Sequence, residues 1–185
     1  MGIEPSLFEL VSSSWSYGML TIPERLPPIA TELLVGGVDS PALRTLAGLD
    51  LSPFDPRDAT ELMEQVMSDL PQPPVLRRME LASALLTVQC VSGEITPELL
   101  LNHFVRLRES TFPKLFAERK DFPELDDFWW IYGYWDETPI HRAEEKVIAK
   151  AAEMLDRLGL SFWEPPSIIT VCLGLPDWPT EPLWY

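Results

Sequence analysis

At four places along this chain a helix-capping residue stands directly before a proline and opens a stretch of helical apolar spacing: Ser40-Pro41, Asp55-Pro56, Thr96-Pro97 and Thr138-Pro139. Proline costs nothing at the first position of a helix, where an amide has no intrahelical acceptor, and its fixed φ is already helical. The preceding Ser, Thr or Asp accepts hydrogen bonds from the open amides of the first turn. Inside a sheet the same prolines would delete ladder bonds. With 19 prolines among 185 residues, the pattern predicts an all-α fold, a bundle of several short helices opened by proline.

The apolar spacing behind each start agrees. After Pro41, Ala42-Leu43-Arg44-Thr45-Leu46-Ala47 forms one short helix that Gly48 stops at the C′ position. After Pro56, Ala59, Leu62, Met63, Val66 and Leu70 recur at i, i+3, i+4, i+7 and i+11, an amphipathic helix with Asp58 and Glu61 at its positive end. Pro71, Pro73 and Pro74 then precede a helix from Val75 to Val91 with a narrow polar stripe, Glu80, Ser83 and Thr87 at i, i+3 and i+7. A helix apolar on most sides is a central one. Gly93 ends it, and Pro97 opens the next over Glu98 to Glu109, with Leu100, Leu101, Phe104, Val105 and Leu107 on its apolar face. A shorter helix is expected over Pro28 to Leu34 before Gly36-Gly37. The last long one spans Pro139 to Leu158, with Ile140, Ala143, Val147, Ala151, Leu155 and Leu158 in register, Gly159 as its stop and Glu153–Arg157 as an i,i+4 pair.

Beyond Gly159 the character changes. Ser167 to Leu173 is β-branched and reads as one extended segment, although a lone strand has no partner for its amides. Residues 160–185 hold five prolines and three tryptophans. The expected organisation is a helical domain over 1–159 and an irregular Trp/Pro-rich C-terminal arm over 160–185 packed on it.

Charge narrows the choice of partners. The chain carries 29 acidic and 14 basic residues, a net charge of −15. Residues 1–70 are net −8, residues 71–120 net +2 and residues 121–185 net −9, so two acidic ends flank a slightly basic middle. Nucleic acid is disfavoured, since binding would work against repulsion instead of gaining from counterion release. Basic partners are attracted, mainly through association rate. No run of about 18 apolar residues predicts a membrane span. The acidic start MGIEPSLFEL lacks the basic region of a secretory signal. Cys90 and Cys172, each in an apolar run, fit reduced thiols, and with them a cytoplasmic location.

The stretch from Leu33 to Leu49, LLVGGVDSPALRTLAGL, resembles a group of small, uncharacterised bacterial helical proteins. The likeness leans on Gly36 to Gly48 and extends to an acidic-aromatic stretch followed by a final helix, here Phe128 to about Leu158. The resemblance implies a bacterial origin and an all-α fold. It implies no reaction, ligand or catalytic residue.

The residues that would carry chemistry are sparse. There is no CxxC, HExxH or EF-hand loop, and two histidines and two cysteines are too few for most zinc frameworks. His141 precedes Glu144 by three residues, the reverse of a di-iron Glu-x-x-His motif, and His103, between Leu99 and Leu107, suits the edge of a core. No G-x-S-x-G elbow or phosphate loop is present, and paired acids such as Glu144-Glu145 are expected by chance in so acidic a chain. No catalytic residue, metal ligand or cofactor is therefore nominated, and a non-enzymatic reading is preferred.

One segment stands apart. Residues 121–137, DFPELDDFWWIYGYWDE, hold seven aromatic residues, six acids and no base. Rigid amphipathic rings suit recognition hot spots, and acids beside them select cations. The candidate partner-binding residues are Asp126, Asp127, Trp129, Trp130, Trp135, Asp136 and Glu137. The competing reading packs the rings inward as a loop lid over the helices, with the acids solvated outside. Three function classes stay open: an acidic, immunity- or antitoxin-like protein that binds a basic protein partner; an enzyme or small-ligand binder with a carboxylate and tryptophan pocket; and a structural subunit of a homo-oligomer.

Overall fold

The computed structural model describes residues 5–20, 22–49, 54–117, 122–134 and 140–172. Among them there is no strand, and the fold is all-α. The chain divides into two compact units, with boundaries in the described sequence directly after Pro74 and after Glu164.

One unit takes in residues 5–74 and the stretch from Pro165 onward. Its helices are α1 (Leu7–Ser16), α2 (Leu26–Val35), α3 (Pro41–Ala47), α4 (Pro56–Asp69) and α9 (Ser167–Cys172), with a 3-10 turn at Pro23–Arg25. The cap–proline logic is realised at two of the starts. Ser40 Oγ accepts from the Leu43 amide at 3.1 Å, and Asp55 Oδ1 accepts from the Arg57 amide at 2.9 Å. A further start, at α1, is a capping box: the Glu9 amide donates to Ser6 Oγ at 3.3 Å while the Ser6 amide donates to Glu9 Oε2 at 2.9 Å. Helix α2 packs on α3, α4 and α9, and α3 packs on α4, with Ile29, Leu33, Leu43, Leu46, Met63 and Val66 fully buried. Gly48 closes α3 with φ −87°, an ordinary right-handed value instead of the left-handed C′ conformation expected of it.

The stretch expected to be extended is helical. Pro165 and Pro166 end the preceding loop, the Ile169 amide donates to the Pro166 carbonyl at 2.9 Å, and α9 buries Ile169 completely and lies against α2. A solitary strand would leave every amide unpaired, whereas one short helix pairs them internally, and that outweighs β-branched propensity.

The other described unit spans residues 75–164. It holds α5 (Val75–Val91), α6 (Pro97–Ala117), α7 (Pro123–Gly133) and α8 (Ile140–Arg157). Helix α5 packs on α6 and α8, α7 packs on α6 and α8, and α6 touches α8. Thr96 Oγ1 caps α6 by accepting from the Leu99 amide at 3.3 Å. That helix continues well past Glu109, through Pro113, whose missing amide leaves the Glu109 carbonyl without its usual donor. Helix α5 is buried on nearly every side, as its composition predicts. Its polar stripe is turned inward: Ser83 and Thr87 are fully buried, Thr87 Oγ1 donates to the Ser83 carbonyl at 2.7 Å, and the same hydroxyl meets Met154 Sδ of α8 at 3.8 Å.

Both long stops are Schellman motifs. At α5 the Glu94 amide donates to the Gln89 carbonyl at 2.8 Å and the Gly93 amide to the Cys90 carbonyl at 3.1 Å, with Gly93 at φ 80°. At α8 the Leu160 amide donates to Leu155 at 2.7 Å and the Gly159 amide to Asp156 at 2.9 Å, with Gly159 at φ 71°. A side chain at either glycine would sit in the strained left-handed region.

Candidate functional site

Within the acidic-aromatic segment, Pro123–Gly133 form a helix, α7, and not a loop. Pro123 occupies its first turn, where Glu124 and Asp126 also lie and complement the positive helix end. The helix sorts its rings by face. Phe128 is fully buried and stacks on Phe104 of α6 with centroids 3.9 Å apart and planes 14° apart. Phe122, also buried, leans on the same Phe104 ring at 6.1 Å. Trp129 and Tyr132 are half-buried and touch each other at 6.3 Å. Trp130 and Tyr134 face water, 64% and 50% exposed, and stack with centroids 6.1 Å apart and planes 12° apart.

The acids of α7 meet bases of the neighbouring helices. Arg108 of α6 places its guanidinium carbon 4.4 Å from the Trp129 ring centroid and donates from Nε to Asp126 Oδ1 at 3.3 Å. Lys150 of α8 lies 3.3 Å from Asp127 Oδ2 and 2.6 Å from Glu153 Oε2. The hydrogen bond to Glu153, and after it the one to Asp127, raises the Lys150 ammonium above the ordinary lysine value. Both acids keep wide access to water, with side chains 60% and 46% exposed.

Of the seven residues nominated from sequence, α7 brings together Asp126, Asp127, Trp129 and Trp130; Trp135, Asp136 and Glu137 lie outside the described residues. Sequence reasoning missed Arg108, Lys150 and Tyr134 as members of this surface. Tyr134 was within reach, since it follows Trp130 by four residues. The two bases come from distant segments, and only tertiary packing reveals them.

On the inward side of α7, Glu124 is buried and meets Arg157 of α8. Arg157 therefore does not form the expected i,i+4 pair with Glu153, which binds Lys150 instead. A bidentate guanidinium contact to a buried carboxylate outcompetes a solvated partner on the same helix.

Cys90 and His103 are both buried in the 75–164 unit. Burial pushes the Cys90 thiol up to about 11, so it is no nucleophile near neutral pH. Burial holds His103 down at about 3, so its ring stays neutral, edge-on to Phe104 at 5.8 Å. Among the described residues no group of three His, Cys, Asp or Glu is placed to hold a metal ion, and no helix is long and apolar enough to cross a membrane. What the α7 surface can do is bind: it offers two carboxylates and a flat pair of rings to a cation. Comparison with protein-family models, curated proteins and solved structures finds no match.

Proposed function

We propose that this chain is a non-enzymatic acidic helical protein of the bacterial cytoplasm that binds a basic protein partner in the manner of an immunity protein or antitoxin. The observation that carries the reading is the Trp130–Tyr134 ring pair, stacked in water one helical turn beyond the Asp126 and Asp127 carboxylates. Large rings left in solvent forgo roughly 25 cal/mol for each Å² they could bury, and a stacked pair is the kind of anchor that interfaces use. The net charge of −15 adds long-range attraction for a basic surface and repels nucleic acid.

The test compares the tagged chain with its Trp130→Ala/Tyr134→Ala variant on one lysate of the source organism. The expected result is a stoichiometric basic protein held by the parent chain, released by salt and lost with the two rings. Identical capture by both chains, or no basic protein among those that depend on the rings, overturns the reading.

A further inference from the structure

We infer that Asp127 and Trp130 form an arginine cradle on the outer side of α7, built to take a guanidinium from the basic partner. The inference rests on the partner reading above and specifies its chemistry. The chain already contains a filled example of such a cradle. Asp126 and Trp129, three residues apart, together hold Arg108: the carboxylate accepts its Nε–H at 3.3 Å while the indole lies 4.4 Å beneath its guanidinium carbon. Spacing of i,i+3 sets the two groups side by side on one helix face.

Asp127 and Trp130 repeat this carboxylate–indole spacing one residue further on, a rotation of about 100° around the helix axis. Here the ring is open. Trp130 is 64% exposed, and among the described residues no cation lies over it. Tyr134 extends the platform by one turn with its plane 12° from that of the indole. Among the described residues Asp127 engages Lys150 through Oδ2 alone, and Lys150 holds the closer Glu153 at 2.6 Å, which leaves Oδ1 of Asp127 to an incoming donor. A planar guanidinium stacks on such rings and donates sideways to a carboxylate in one pose, whereas an ammonium, a compact strongly hydrated point charge, cannot match both contacts. The six acids and absent bases of residues 121–137 supply the matching field.

The 185-residue chain is titrated calorimetrically at low salt with two peptides of equal length and charge, one carrying arginine and the other lysine. The arginine peptide is expected to bind about two- to fivefold more tightly, the factor of an exposed cation–π stack. Trp130→Ala should erase that preference by weakening the arginine peptide more than the lysine peptide; Asp127→Asn should weaken both peptides. Trp130→Phe, which keeps a ring, should retain a reduced preference, and circular dichroism of each variant checks the helices. Equal affinities in the parent chain, or a preference that survives Trp130→Ala, overturn the cradle and leave the basic-partner reading standing. Failure of both peptides to bind overturns both. Self-association of the parent chain that Trp130→Ala abolishes would give the ring pair to a second copy, and that too overturns the assignment.

Discussion

Arg157 donates twice to Glu124, from Nε to Oε1 at 2.5 Å and from Nη2 to Oε2 at 3.0 Å, joining the end of α8 to the start of α7. Its Nη1 reaches Glu80 Oε1 of α5 at 3.4 Å, and its guanidinium carbon lies 5.8 Å from the Phe122 ring centroid. One side chain thus ties three helices of the 75–164 unit. Since Glu124 also precedes Phe128 by one turn, the same contact fixes which side of α7 turns inward and which presents Trp130.

Arg157→Ala should leave Glu124 buried without its counter-charge. The expected loss is about 2 kcal/mol, below the roughly 3–5 kcal/mol of a wholly buried pair, because the arginine side chain is 40% exposed. Replacing both partners, Glu124→Leu with Arg157→Met, should recover most of that loss, since a well-packed apolar pair needs no desolvation. Urea midpoints of the two variants decide the matter: a double variant no better than the single one would show that the ion pair itself, and not the stranded carboxylate, governs stability.

Much of this architecture was legible in the sequence because backbone chemistry writes it locally. The Ser40-Pro41, Asp55-Pro56 and Thr96-Pro97 starts open α3, α4 and α6. Gly93 and Gly159 stop α5 and α8 with positive φ. Helix α7 was hidden because its N-cap is Phe122, which offers no side-chain acceptor, and because its aromatic run has strand-like propensity. Helix α9 was hidden by the strand-like propensity of its β-branched Ile168, Ile169, Thr170 and Val171. The long-range ion pairs could not be foreseen: Arg108 meets Asp126 and Arg157 meets Glu124 across gaps of 18 and 33 residues, and no local spacing encodes such partners.

The Cys90 thiol should be inert in the folded chain. Burial raises its pKa to about 11, so at pH 8 the thiolate is scarce and the sulfur is enclosed as well. In a Cys172→Ser background, a disulfide reagent at pH 8 should titrate no thiol until denaturant is added, and then one. Rapid modification of the native protein would contradict the packing of α5.

His103 should make the fold acid-sensitive. Its folded pKa, held at about 3 by burial, lies below the unfolded value of 6.5, so only the unfolded chain takes up a proton between them. The stability that the neutral ring secures is present above pH 6.5 and declines as pH falls towards 3, by about 1.4 kcal/mol per unit. Carboxylates titrate in the lower part of the same range, so the informative quantity is the difference between the parent chain and His103→Leu. That difference should be flat above pH 7 and should grow in favour of the variant from pH 6.5 to 4.5. Parallel curves through this window would mean that His103 is protonated in the folded state.

The two sides of α7 should respond in opposite ways to loss of a ring. Phe128 is fully enclosed against Phe104, so Phe128→Ala opens a cavity in the aromatic core and forfeits a stacked contact. The expected cost is about 3–5 kcal/mol. Trp130 lies two residues later, yet most of its ring already meets water in the folded chain, as it does in the unfolded one. Trp130→Ala should therefore change stability by less than about 1 kcal/mol, losing only its stack with Tyr134 and a few contacts at its base. In a binding assay the order reverses: the stable Trp130 variant should lose on the order of 2 kcal/mol or more of partner affinity. Thermal melts of both variants read the first half of this contrast. A Trp130→Ala melt as depressed as that of Phe128→Ala would put the indole in the core and remove the anchor from the surface.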